Sequence, residues 1–184
     1  MVRDSVLEIR PSRAAIILCM GDAKLWDTVS PAPNATVCRI ARDERWLIGP
    51  ARSAGELLAW AVAQTATMGP AACAVDVTDG WAVWTITGSG IEEVWVRLSE
   101  NQVPPGRPAF VQGAVATIPA KALVQDGCIH FFTPSPLGHH LPLRIQEACP
   151  DLSPRIQEAA DLTIDAAAVA PFGASSGATA GARR

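Results

Sequence analysis

The stretch Trp81-Ala82-Val83-Trp84-Thr85-Ile86-Thr87-Gly88-Ser89-Gly90-Ile91-Glu92-Glu93-Val94-Trp95-Val96-Arg97-Leu98 decides the fold class. Its first part has the period of a strand, with Val83 on one side and Trp84 and Ile86 on the other. Both faces are partly apolar, so this strand is expected inside a sheet rather than at its edge. At Gly88-Ser89-Gly90 the period changes to that of a helix, with Ile91, Val94, Trp95 and Leu98 as its apolar stripe. Ser89 and Glu92 have the spacing of a capping box.

Upstream, Cys73 to Thr78 reads as a strand paired with Trp81 to Thr87, and before it runs a helix ended by Gly69-Pro70. That helix carries Leu57, Trp60, Ala61 and Met68 at helical spacing, and a second capping box at Ser53 and Glu56. Thr36 to Ala41 and Arg45 to Ile48 read as a hairpin. Ala23 to Val29 reads as a short helix, followed by a break at Pro31-Ala32-Pro33-Asn34. Ser5 to Ile9 and Ala14 to Met20 read as two strands divided by Pro11-Ser12-Arg13. Downstream lie three strands, Val111 to Ile118, Ala120 to Gln125 and Cys128 to Phe132, the last two turning at Asp126-Gly127. A helix from Leu141 or Pro142 to Ala148 follows.

The order predicts an α+β fold of repeated strand–strand–helix units with mixed or antiparallel sheets. A single domain is expected over residues 1–148, with lobe breaks near 70–90 or 100–108 left open, and residues 149–184 as an Ala/Gly/Ser-rich extension. Arg144-Ile145-Gln146-Glu147-Ala148 recurs as Arg155-Ile156-Gln157-Glu158-Ala159, a spacing that lets both copies present one helical face. From Ala166 the chain is mostly Ala, Gly and Ser, a composition expected to be flexible on its own in water.

Of the 184 residues, 49% are hydrophobic and 18% charged, which excludes general disorder. The net charge of −3 gives no electrostatic drive toward nucleic acid or anionic membranes, so neither is expected as a partner. Ala14 to Met20 is far too short to span a bilayer, and no targeting segment is read, so a cytoplasmic location is expected. The five cysteines are widely spaced, form no CxxC pair and read as reduced, buried thiols. Six tryptophans with no tyrosine fit a chain that lives against a partner. Trp26 and Trp95 are the expected partner contacts.

The residue patterns that resemble catalytic or binding motifs are each incomplete. Gly88-Ser89-Gly90 stands where a dinucleotide fingerprint would, but Glu93 occupies the third glycine position. Gly173-Ala174-Ser175-Ser176-Gly177 matches a nucleophile elbow, with no histidine or carboxylate after it. His130, His139 and His140 belong to no metal-binding pattern. Asp76 and Asp79 either shape a turn or form a carboxylate pair, and Lys121 reads as a solvated charge. No catalytic, cofactor-binding or metal-binding residue is assigned.

Arg45-Trp46-Leu47-Ile48-Gly49-Pro50, the turn Asp76-Val77-Thr78-Asp79, the strand that follows it, the Pro104-Pro105-Gly106 loop and Ile129-His130-Phe131-Phe132-Thr133-Pro134 together resemble the gamma subunit of heterotetrameric sarcosine oxidase. The resemblance covers roughly Thr36 to Ala148, and departs from the family at Gly113-Ala114 and at Leu141-Pro142-Leu143-Arg144-Ile145. It implies a fold related to the folate-binding glycine cleavage T-protein. It also implies a non-catalytic place in a complex that oxidatively demethylates an N-methyl amine and passes the one-carbon unit to tetrahydrofolate. FAD, FMN, NAD, zinc and tetrahydrofolate are then expected on partner subunits of alpha, beta and delta type. The alternatives are a stand-alone folate-binding module, with Asp76 or Asp79 as its carboxylate, and a scaffold subunit of a sibling methylamine-demethylating complex.

Overall fold

The computed structural model describes residues 6–29 and 32–164, and the backbone alone of 168–169. Its organising element is β1 (Leu7–Met20), which serves two sheets in turn. Short helix α1 (Ala23–Trp26) follows, its first amides capped by the Asp22 carboxylate. Next come the hairpin β2 (Thr36–Arg39) and β3 (Glu44–Pro50), then helix α2 (Ala54–Thr65), β4 (Cys73–Asp76), β5 (Trp81–Gly88) and helix α3 (Ile91–Leu98). The meander β6 (Ala109–Val115), β7 (Ile118–Gln125) and β8 (Cys128–Pro134) precedes helix α4 (His140–Ala148). Two-residue strands β9 (Arg155–Ile156), β10 (Ala160–Asp161) and β11 (Ala168–Val169) complete the order.

Residues Leu7 to Pro11 pair antiparallel with β5, which continues through β8 and β7 to β6. Residues Ala14 to Met20 pair with β3, which continues to β2, while β4 lies along the other edge of β1. The two sheets face each other across a core of Ile16, Trp46, Ile48, Phe110, Leu123 and Phe132. The ends of the strand order approach one another, since Gln112 Nε2 on β6 donates to the Ile40 carbonyl just past β2 at 2.8 Å. The result is a strand-rich, nearly closed sheet with few helices. Helices α3 and α4 cover one outer face through Val94, Trp95, Leu141 and Ile145, and α2 covers the other through Leu57 and Ala61.

Several expectations change. Pro11-Ser12-Arg13 does not divide β1, because the break falls where its ladder passes from β5 to β3 and a missing N–H is tolerated. β4 and β5 are not a hairpin: both pair with β1, at opposite halves. β5 is central, as its two apolar faces imply. Neither capping box forms, for Ser53 Oγ donates back to the Pro50 carbonyl and Gly90 stands at the N-cap of α3. Only the first copy of the repeated pentapeptide is helical. The second, preceded by Pro154, begins as β9 and pairs parallel with β1. Residues 149–164, which composition sets apart, lie against the domain, with Leu152 in the helix-side core and Leu162 between the sheets. Most of the Ala/Gly/Ser tail lies outside the described residues.

Candidate functional site

Asp76 ends β4 and Asp79 lies within the helical turn, Thr78–Gly80, that links β4 to β5. Asp76 Oδ1 accepts from the Thr78 amide at 2.9 Å, and Thr78 Oγ1 accepts from the Ile16 amide at 2.9 Å. The turn is thereby pinned to β1. Both carboxylates are exposed, beside an open cavity of about 460 Å³ that Ala14, Ala51 and Ala54 line from the other side. Turn formation accounts for Asp76 directly.

The glycines before α3 answer to backbone geometry. Gly88 has φ +111° with the Val6 carbonyl where a Cβ would stand, and Gly90 has φ +109° against the Leu152 side chain. Glu92 and Glu93 at the helix start are paired, with Arg107 at 2.6 Å and Arg97 at 2.9 Å. Carboxylates in that first turn oppose an anion there. The Gly173–Gly177 motif lies outside the described residues.

The histidines separate by environment. His139 and His140 are exposed, their rings 4.0 Å apart. His130 is 1% exposed on the inner face of β8. Its Nδ1 lies 2.9 Å from Thr85 Oγ1, which lies 2.6 Å from Ser12 Oγ, and its Nε2 lies 3.0 Å from Gln125 Oε1. An amide oxygen only accepts, so Nε2 carries the proton, and Nδ1 accepts from Thr85. Burial pushes the imidazole down to about 4, so it is neutral near pH 7. Cys128 Sγ stands 3.4 Å from the same Nε2. Gln125 Nε2 is buried without a hydrogen-bond partner. Among the described residues no three His, Cys, Asp or Glu side chains converge as a metal site, and no helix is long and apolar enough to cross a membrane.

Lys121, expected as a solvated charge, is half-buried. Strand register places it on the inner face of β7, in line with Phe132 of β8 and Gln112 of β6. Its ammonium lies 5.1 Å from the Trp46 ring centroid and 5.5 Å from that of Trp81, and donates to Gln112 Oε1 at 2.8 Å. Burial lowers its pKa below the ordinary lysine range, with Glu44 opposing the shift. A legible signal exists in the sequence: a lysine inside the apolar run Ile118 to Val124, whose flanking residues are themselves buried.

The tryptophans expected at a partner contact are packed within the chain. Trp26 is 7% exposed beneath the second sheet's outer face, and Trp95 is 2% exposed. Trp95 stacks on Phe131 with centroids 6.0 Å apart and donates to the Asn101 carbonyl at 2.9 Å. A partner would find little of either ring.

A chain of the heterotetrameric sarcosine oxidase from Corynebacterium sp. U-96, in complex with pyrrole 2-carboxylate, superposes with a TM-score of 0.64 at 13% identity. The match covers 82% of this chain and 89% of that one. The two share a fold. The glycine cleavage system aminomethyltransferase T from Bartonella henselae matches with a TM-score of 0.57 at 9% identity, over 84% of this chain and 48% of that one. The chain thus corresponds to about half of the aminomethyltransferase. No protein-family profile matches the sequence, and no curated protein matches it.

Proposed function

We propose that this chain is a non-catalytic, gamma-type subunit of a heterotetrameric sarcosine oxidase-like complex. The complex oxidatively demethylates an N-methyl amine and passes the one-carbon unit to tetrahydrofolate on a partner subunit. The observation that carries this reading is the near end-to-end correspondence with a sarcosine oxidase chain, 82% of one against 89% of the other. The side chains support it. The gap between the sheets is occupied by Trp46, Phe110, Leu123 and Phe132, and Asp76 is engaged in its turn. FAD, FMN, NAD and zinc belong, on this reading, to the alpha, beta and delta type partners, in the cytoplasm.

A second reading, a stand-alone folate-binding module, draws on the aminomethyltransferase match and on the cavity beside Asp76 and Asp79. Calorimetry separates the two. Tetrahydrofolate titrated into the isolated chain should bind no better than millimolar, and the purified chain should show no flavin absorbance and no demethylase turnover. Micromolar binding that is lost in Asp76→Asn or Asp79→Asn would replace the subunit reading with the second.

A further inference from the structure

The inner faces of the two sheets cover each other except at one end, where β1, β4 and the start of β5 carry apolar side chains that lie open. Leu18 pairs with both Trp46 and Val75, so Val75 and Met20 share the inner face with Trp46. Met20 is 40% exposed and Val75 47%, and Leu18, Ile40 and Trp81 beside them are only half-buried. A sheet face that elsewhere forms the core is here left uncovered, as at an interaction surface. Lys121 stands at the same end, its ammonium beside Trp46 and Trp81. One of its three donors goes to the neutral Gln112, and among the described residues no carboxylate lies within 4.0 Å of it. Glu44, opposite Met20 on the same inner face, acts on this ammonium from beyond salt-bridge distance, so the half-buried cation is only partly compensated and gains from a closer counter-charge. The outer edge of β4 adds a further feature, since among the described residues this strand pairs with β1 alone.

We propose that this open end is where a partner subunit docks, as an extended segment that sets an acidic side chain against Lys121 and apolar neighbours on Met20 and Val75. The proposal deepens the subunit reading and rests on it. Charge complementarity selects the occupant: a carboxylate meeting a partly desolvated ammonium forms a strong, charge-assisted hydrogen bond. Tryptophan and methionine, here Trp81 and Met20, are side chains that interface cores favour. The open edge of β4 gives an extended segment a backbone ladder to join.

The chain has two lysines, Lys121 and the exposed Lys24, so amine labelling reads the site directly. The free chain and the complex assembled by co-expression with the alpha, beta and delta type subunits are acetylated with N-hydroxysuccinimidyl acetate and compared by mass spectrometry. Lys121 acetylation should fall at least about tenfold on assembly, measured relative to Lys24. Lys121→Glu should weaken assembly at least about tenfold while Lys121→Arg retains it, with circular dichroism confirming that both fold. A complex that forms while Lys121 labels as in the free chain, or that tolerates Lys121→Glu, would overturn the docking site and leave the subunit reading intact. Protection of Lys121 in the free chain that disappears on dilution would assign the surface to a second copy and also overturn it. Failure of any complex to form is a separate outcome, and removes the subunit reading together with the site.

Discussion

The Arg97 guanidinium on α3 grips the Asp151 carboxylate in the turn after α4 through two hydrogen bonds, of 2.5 and 2.9 Å. The same guanidinium also reaches the Ala148 carbonyl at 3.1 Å, so one side chain closes the end of the helical layer. Asp151 is held below the usual carboxylate range, chiefly by the hydrogen bonds from Arg97. A depressed carboxylate stabilises the fold above its unfolded pKa, and that contribution is lost as pH falls through the lower folded value. Asp151→Asn should therefore give a small, salt-sensitive drop in Tm at neutral pH that vanishes in acid. Thermal scans across pH check this, and an equal drop at every pH would contradict it.

His130 produces a pH dependence of its own. Its folded pKa of about 4 lies below the unfolded value of about 6.5, so the unfolded chain takes up the proton first. Stability should fall as pH drops from about 6.5 toward 4, by on the order of 3 kcal/mol for this group, and level off below. Urea unfolding of the wild type and of His130→Gln should show the wild type losing more over that interval. Parallel pH profiles would mean that the imidazole is not held neutral.

Trp95 supports the chain's own fold. Its stacking on Phe131 and its hydrogen bond to the Asn101 carbonyl both lie within the helix-side core. Trp95→Ala should destabilise the isolated chain by about 3–5 kcal/mol in denaturant unfolding. A loss below about 1 kcal/mol would place the ring outside the core.

The cysteines should divide under a thiol reagent. Cys73 is exposed on β4, whereas Cys19 and Cys38 are buried, with burial pushing Cys19 up to about 12 and Cys38 higher still. In the native protein at pH 8, iodoacetamide should modify Cys73 well before Cys19 or Cys38, which should react only on unfolding. Peptide mapping gives the order, and early alkylation of Cys38 would contradict the packing between the sheets.

Local periodicity was sufficient wherever an element satisfies its own pattern. The change from strand to helix across Gly88-Ser89-Gly90 gives β5 and α3, with Ile91, Val94 and Trp95 buried as their spacing requires. The hairpin at Thr36 to Ile48 forms in the expected place for the same reason. Pairing between distant segments was not legible. Whether β4 meets β5 or β1 depends on the Thr78 hydroxyl reaching the Ile16 amide, 62 positions away. The turn between β6 and β7 falls at Ala116-Thr117, with φ of +53° and +66°, and neither residue type announces a left-handed turn. For the candidate surface, Lys121 was visible as a residue but not as a site. A single strand does not say which of its faces meets Trp46 and Trp81.

The central claim is that this chain functions as a subunit. Co-expression with the alpha, beta and delta type subunits, followed by size-exclusion chromatography with light scattering and a flavin spectrum of the peak, tests it most directly. The account predicts that the chain elutes in a heterotetrameric, flavin-containing assembly in one-to-one proportion with its partners. A monodisperse monomer that ignores those partners would contradict it.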